Sequence, residues 1–511
     1  MKLNRTKNAI SGTILGATLK VYQIICPFII RTVFLYTLGV KYLGLNGLFT
    51  SIIQVLNIAE LGIGTALVFS MYKPIAENDE NKICAILKLY RFYYRMIGLV
   101  VLLVGLALTP FLKYLISGDI PKDINLYVIY FLNLLATVLS YWLFAYRNSL
   151  FNAYQRTDII SLVGLFVNTV KYVLELIILF VFKNYYLYLL VLLFAQLLNN
   201  ISIAIISLKY FPQYRPVGEV DRDTKQKINR TMYDLFCSKI GQVVTGSFDT
   251  LVISAFLGLS TVAIYQNYYY IINSLFAIFT VFYKACLAGV GNSLLTEKEE
   301  KNYFDFKRVT YIVNFLLSFC VTCLLTLYPI FMRLWLKNND LLLNYSYVVL
   351  FVIYFLVYQE TILLQLYKDG AGNWHKDRYR PLIAAFVNLG VNLILIHMIG
   401  LYGIIISSIV SFIFVNLPWI YIRLFNDIFK NENRIEYFIK LIKYIGIMTF
   451  TATVSVVICK CVELDMLFGQ FIFNLLISSI ISIGMFLLLT YKQEEHKAVK
   501  ELIKKVFKTK K

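Results

Sequence analysis

Charge is what this chain has least of. Only 15% of its 511 residues are Asp, Glu, Lys or Arg, against 59% apolar ones, and a mean hydropathy of +0.69 excludes a water-soluble globule. Histidine occurs three times, with no two at metal-ligand spacing. A phosphate-cradling glycine loop and a GxSxG nucleophile turn are both missing. The eight cysteines form no framework: Cys320 and Cys323 lie mid-span without a histidine nearby, and Cys459 and Cys461 stand alone at a helix end, which reads as packing. No metal and no cofactor are therefore expected. Long polar loops are also lacking, the longest being 209–230 and the stretch around 336–344. They leave no room for a soluble catalytic domain, which weighs against a membrane glycosyltransferase or polymerase. No enzyme chemistry is legible, and a transporter is expected.

What is present is apolar runs of 20 residues or more, the length a helix needs to cross about 30 Å of hydrocarbon, without the alternation of barrel strands. The expected fold is all-α and integral to the membrane. Fourteen spans are read near 9–37, 45–71, 84–111, 125–150, 159–182, 184–208, 231–257, 262–291, 309–335, 344–367, 381–399, 401–423, 437–462 and 467–491. The junctions Phe182 to Tyr185 and Gly400 to Tyr402 are tight enough for a broken helix or re-entrant pair, which leaves twelve or thirteen as alternatives. Met1 to Lys7 is basic, but the run behind it is long and holds Lys20 and Arg31, so it reads as a retained span and not as a cleaved signal. With both ends inside, the outer side holds only Lys41, Lys113, Lys122, Lys183, Arg333, Lys337 and Lys460 of the 49 basic residues. That bias is a topology signal, and the net charge of +20 needs no nucleic acid to explain it.

Nine ionisable residues nevertheless fall inside the spans: Lys20, Arg31, Glu60, Lys171, Glu175, Lys239, Asp249, Lys284 and Glu360. Such groups are costly in hydrocarbon and mark pathways by default. Helical spacing puts Thr13, Gly16, Lys20, Gln23, Pro27 and Arg31 on one face, with Pro27 expected to bend the span. Asn46, Thr50, Gln54, Asn57 and Glu60 follow on the second span, and Ser238, Lys239, Gln242, Thr245 and Asp249 on the seventh. Lys171 and Glu175, four apart, suit a structural ion pair. Lys239 and Lys284 either face a pathway or snorkel inward, and Glu360 stands eight residues before Lys368. Lys20 and Arg31 share a helix without an acid, about 16 Å apart at roughly 1.5 Å per residue. They suit an anionic head group, with Lys239 as a third cation. Asn46, Gln54, Asn57, Gln266, Asn267, Tyr268 and Tyr269 are of the types that bind sugars, although tyrosines also form interfacial belts. Glu60, Asp249, Lys171 and Glu175 are the candidate ion or gating groups.

A weak repeat relates Leu38-Gly39 and the polar second span to Leu257-Gly258 and the eighth span. Six spans separate the copies, so the halves run parallel, an arrangement suited to a central cavity and alternating access. The expected organisation is two six-helix lobes, 1–208 and 231–423, a cytoplasmic linker 209–230, two further helices in 424–491, and a tail 492–511. In that tail Val499, Leu502, Ile503, Val506 and Phe507 form an amphipathic face for the inner leaflet, as does 435–442 before the thirteenth span.

Four patches carry a family resemblance: Leu38-Gly39 leading to Gly44, Glu60-Leu-Gly-Ile-Gly64, Asn152-Ala-Tyr-Gln-Arg156, and Asp249 through Leu257-Gly258 to Ile264-Tyr265. They resemble the Wzx-type flippases of polysaccharide repeat units, within the multidrug/oligosaccharidyl-lipid/polysaccharide (MOP) exporter superfamily. The resemblance implies two six-helix bundles plus two helices. It also implies an undecaprenyl-pyrophosphate-linked oligosaccharide moved from the inner to the outer leaflet of the bacterial cytoplasmic membrane, for capsule, exopolysaccharide or O-antigen. Glycosyltransferases and a polymerase of the same pathway are the expected protein partners, besides membrane lipid. The competing readings are a lipid II flippase of peptidoglycan synthesis and a cation-coupled multidrug exporter. The basic first span argues against the exporter, whose cavity needs carboxylates.

Overall fold

A computed structural model describes the backbone of residues 5–508 except Asp119 and Trp374. It describes side chains over 15–504 except at those two positions and at Ser238, Gln242, Thr245, His375 and Ile503. The expectations made for Thr13, Ser238, Gln242, Thr245, Ile503, Val506 and Phe507 fall outside the described side chains. Without water to satisfy the backbone, apolar runs of this length close their hydrogen bonds internally, and every regular element is helical. In order these are α1 (Arg5–Thr37), α2 (Val40–Leu56), α3 (Ile63–Glu77), α4 (Glu80–Leu108), α5 (Leu126–Trp142), α6 (Asn148–Ala153), α7 (Thr157–Ile177), α8 (Tyr185–Tyr210), α9 (Arg222–Leu257), α10 (Leu259–Thr296), α11 (Glu299–Leu336), α12 (Tyr345–Gly370), α13 (Arg380–Ile399), α14 (Leu401–Ser411), α15 (Leu417–Asp427), α16 (Arg434–Cys461), α17 (Leu467–Thr490) and α18 (Glu494–Lys508).

Among the described residues, 12 stretches are long and apolar enough to span a membrane, and two bent pairs raise the number to 14. The pairs are Leu126–Trp142 with Ala145–Ala153, bent by 48°, and Arg222–Gly241 with Gly246–Leu257, bent by 44°. The stretches coincide with the spans read from hydropathy. Both tight junctions separate distinct helices: Lys183 takes a positive φ of 48° and Gly400 one of 57°. Helix α1 runs through Pro27 as one element. The 435–442 segment is the first part of α16. Side-chain caps begin several helices, as where Asn184 accepts the Leu187 amide at 3.1 Å and Asn125 the Tyr127 amide at 3.0 Å, satisfying donors a helix start leaves open.

The chain forms two compact units. One holds residues up to Asn267 together with Pro381–Leu401, and the other holds Tyr268–Arg380 and everything from Tyr402. In the first, α1 packs on α7, α2 and α3 on α9, and α5 and α7 on α8. Phe34 stands edge-on to Tyr185 and Tyr188, with centroids at 5.8 and 5.0 Å. In the second, α11 is central, against α12, α16 and α17, while α15 packs on α12. Its side chains Thr310, Asn314, Ser318, Thr322 and Thr326 recur every fourth residue and are all buried. Thr326 hydrogen-bonds Ser478 of α17 at 2.7 Å.

Candidate functional site

The two repeat turns share a backbone. Gly39 has φ 99° and ψ 174° and Gly258 φ 84° and ψ 173°, a region essentially restricted to glycine, and each leads straight into a helix. The second copy packs on the first, because α2 lies against the start of α10. A Cβ on Gly44 would overlap the Leu259 carbonyl, and one on Gly47 the Gln266 carboxamide. Beside this contact Arg31 of α1 donates from Nε to Asn267 Oδ1 at 2.5 Å and from Nη2 to the Ala263 carbonyl at 3.5 Å. Farther along, Ser247 donates to Gln54 Oε1 at 3.1 Å and Lys239 Nζ to Thr65 Oγ1 at 3.2 Å. Polar groups of α1–α3 thus meet those of α9 and α10 along one seam of the first unit.

Glu60 occupies a short 3-10 turn, Asn57–Glu60, that interrupts the second span between α2 and α3. Tyr94 donates to its Oε1 at 2.5 Å, and Tyr141 to its Oε2 at 3.1 Å and to Asn57 Oδ1 at 2.9 Å. Tyr90 donates to Tyr94 at 3.1 Å. Gly64 is roofed by the Tyr90 and Tyr94 hydroxyls, and Gly62, at φ 87°, abuts Leu235 of α9. No salt bridge to Glu60 occurs among the described residues, so its charge is met by phenol hydroxyls.

Asp249 is 4% exposed and accepts from Asn392 Nδ2 at 2.7 Å. Asn392 also contacts Asn388 at 3.4 Å, and both asparagines are fully buried. Lys171 and Glu175 pair at 3.7 Å, the acid enclosed and the lysine near the Tyr172 ring. Asn46 is half-buried with Tyr185 Oη at 3.5 Å. Lys20 is exposed and makes no hydrogen bond or ion pair among the described residues. The same holds for Lys284 in the second unit. Tyr268 is 1% exposed, stacked on Phe351, with its hydroxyl taking the Leu343 amide at 2.9 Å.

A family model described as polysaccharide biosynthesis protein matches residues 9–287, more than half of the chain and the part that holds this seam. The chain belongs to that polysaccharide biosynthesis protein family. No curated protein sequence matches it significantly. Among solved structures, the lipid II flippase MurJ in an inward closed conformation is 13% identical with a TM-score of 0.65, over 94% of this chain and 99% of that one. A MOP superfamily transporter from Pyrococcus furiosus, reported with a binding pocket of reversed polarity, is 14% identical with a TM-score of 0.57, over 82% and 95%. A MATE transporter in complex with MaL6 is 13% identical with a TM-score of 0.54, over 82% and 96%. This member of the polysaccharide biosynthesis family therefore has the all-helical fold of MOP superfamily transporters.

Of the residues singled out from sequence, Arg31 and Asn267 are brought into direct contact. Gln266 and Gln54 join the same seam, and Asn57 and Glu60 share one tyrosine. Tyr90, Tyr94, Tyr141, Asn388 and Asn392 were not singled out. The tyrosines sit among 39 in the chain with nothing local to distinguish them. The asparagines Asn388 and Asn392, four apart on a span, are the signal that a search for polar i, i+4 pairs finds.

Proposed function

We propose that this family member moves polyprenyl-pyrophosphate-linked oligosaccharides, the repeat units of a cell-surface polysaccharide, from the inner to the outer leaflet of a bacterial cytoplasmic membrane. The observation that carries the reading is Arg31, a guanidinium inside a membrane span that donates to a neutral carboxamide and to a carbonyl of the repeat's second copy. Diphosphate oxygens are stronger acceptors for a guanidinium than either. Substrate can therefore take Arg31 from Asn267, and the seam between the copies opens as the head group is captured. Lys20, exposed and without a partner among the described residues, receives the head group at a second depth, and Lys239 exchanges Thr65 for it. Asn46, Gln54, Asn57, Gln266 and Asn267 line the sugar path with amides. Tyr268, stacked and hydrogen-bonded, is left to packing.

The transport cycle is a rocking of six-helix lobes 1–208 and 231–423, with both termini cytoplasmic, and Glu60 and Asp249 are its ion or gating groups. An inside-negative potential favours outward passage of an anionic head group by about 2.3 kcal/mol per charge per 100 mV. Cells lacking the protein should accumulate lipid-linked repeat units on the inner leaflet, and wild type but not the Lys20→Ala, Arg31→Ala double variant should clear them. Full clearance by the double variant would sink the diphosphate role. A lipid II flippase is the second reading, favoured by the match to MurJ across nearly both whole chains. Rescue of cells depleted of their lipid II flippase would select it.

A further inference from the structure

Where the turn after α5 meets α4, the first unit gathers positive charge that no acid neutralises among the described residues. Phe144, at φ 56°, leads the chain into a short 3-10 turn, Ala145–Arg147, whose last residue Arg147 is only 6% exposed. Arg147 donates from Nη1 to the Tyr214 carbonyl of the linker at 3.1 Å, and its Cζ stands 5.5 Å from the centroid of the Tyr146 ring. Arg91, half-buried on α4, stands 5.9 Å from the same centroid. Among the described residues neither arginine has an ion pair, Arg91 has no hydrogen bond, and Arg147 has only the one to Tyr214. One turn before Arg91, Lys88 holds the Glu219 carboxylate at 3.9 Å. The linker lies against α4 there, since a Cβ on Gly218 would meet Ala85 at 3.5 Å. Six spans farther along the chain, in the second unit, the comparable cations do have carboxylates. Arg308 of α11 has Asp305 at 2.9 Å, and Lys368 and Arg380, after the fifth-last turn of α12 and at the start of α13, share Asp377 at 2.7 and 2.8 Å.

A buried guanidinium without a counter-charge is costly where the dielectric is low. The face of a tyrosine offsets part of that cost, yet two cations drawn to one ring also repel each other. What the pair lacks is an anion with oxygens enough for both. Phosphate has that chemistry, because guanidinium forks bind its oxygens through parallel hydrogen bonds. The depth suits it too: α4 starts at Glu80 among exposed polar residues and is apolar from Ile97 onward, so Arg91, about three turns in, stands near the level of lipid head groups. We propose that Arg91 and Arg147 form a phosphate-binding site, filled by the head group of an anionic phospholipid or by free phosphate. It is built on α4, the 145–147 turn and the linker, and not on α1 or α10, so it is separate from the seam that holds Arg31. Filling it braces the guanidinium that holds Tyr214, and thereby fastens linker residues 211–219 to the first unit.

The test measures binding and does not depend on which substrate crosses the membrane. Purified full-length protein is melted at constant ionic strength in nanodiscs of phosphatidylcholine, in nanodiscs where phosphatidylglycerol replaces part of that lipid, and in phosphatidylcholine nanodiscs with inorganic phosphate replacing chloride. A site for a lipid head group raises the melting midpoint by several degrees with phosphatidylglycerol, and a site for the free ion raises it with inorganic phosphate. Arg91→Gln should abolish most of the rise, whereas Lys225→Gln, which removes an exposed cation of α9, should keep it. Arg147→Lys, which retains the charge but not the fork, should demand a several-fold higher lipid fraction or phosphate concentration for the same shift. Arg91→Gln serves alone if that variant does not fold. A wild-type midpoint indifferent to both additions overturns the proposal, as does an Arg91→Gln protein that keeps the wild-type rise or a Lys225→Gln protein that loses as much of it. None of these results bears on the flippase reading, and failure of flipping leaves this site intact.

Discussion

Arg31 can be tested by separating its charge from its geometry. Arg31→Ala should lower flipping by about tenfold or more, the worth of one strong charge-assisted contact near 1.4 kcal/mol. Arg31→Lys, which keeps a point charge but loses the planar fork, should recover only part of the rate. A flux assay in proteoliposomes with lipid-linked substrate reads both. Glu60→Gln makes a different prediction, because an amide has one acceptor oxygen where Tyr94 and Tyr141 require two. The variant should lose about 1–3 kcal/mol of stability, seen as a lower melting midpoint that Tyr141→Phe in the same background restores in part. Much of this chemistry is legible residue by residue: nine charges in apolar runs announce themselves. Their partners do not, since Arg31 and Asn267 stand 236 positions apart and no spacing rule joins them.

The helices of the repeat make their own predictions through their glycines. Gly39→Ala meets no neighbour within 4 Å, so its cost is backbone strain alone, about 1–3 kcal/mol for a conformation other residues avoid. Gly44→Ala has ordinary helical geometry but drives a methyl group into the Leu259 carbonyl, so α2 and α10 must separate. We expect Gly44→Ala to lower the melting midpoint more than Gly39→Ala, and the reverse order would refute the close packing of the two copies. At the end of α12, Asp377 is held by Lys368 and Arg380 at 2.7 and 2.8 Å. Removing it leaves the buried Arg380 without a carboxylate among the described residues and Lys368 with Asp369 alone, and Asp377→Ala should destabilise by about 3–5 kcal/mol. The Leu-Gly turns were visible in the sequence as a repeat because glycine is obligatory there. Helix α1 runs on through Pro27, where a bend and not a break is expected, and the 3-10 turn at Glu60, where Tyr94 and Tyr141 arrive from other helices, was not foreseen.

For the molecule as a whole, the skew of basic residues predicts orientation. Cysteines introduced near Arg222 and Lys225 should react with membrane-impermeant maleimide only in inverted vesicles, and those near Lys183 and Lys337 only in intact cells. Labelling in the opposite sense would invert the proposed direction of transport. The all-helical membrane class, the spans and the glycine turns follow from the sequence by itself, because hydropathy and backbone sterics are properties of short segments and the bilayer imposes one solution on them. The compact units did not follow: Pro381–Leu401 joins the first unit, and with it Asn392 reaches Asp249, a meeting set by packing between segments far apart in the chain. The fates of the embedded acids were decided in the same way. Glu60, Glu175, Asp249 and Glu360 look alike in hydropathy, and only tertiary structure gives Glu60 two phenol hydroxyls, Glu175 a lysine, Asp249 an asparagine amide and Glu360 a buried place beside Asn314, because compensation of a buried charge is a property of the space around it.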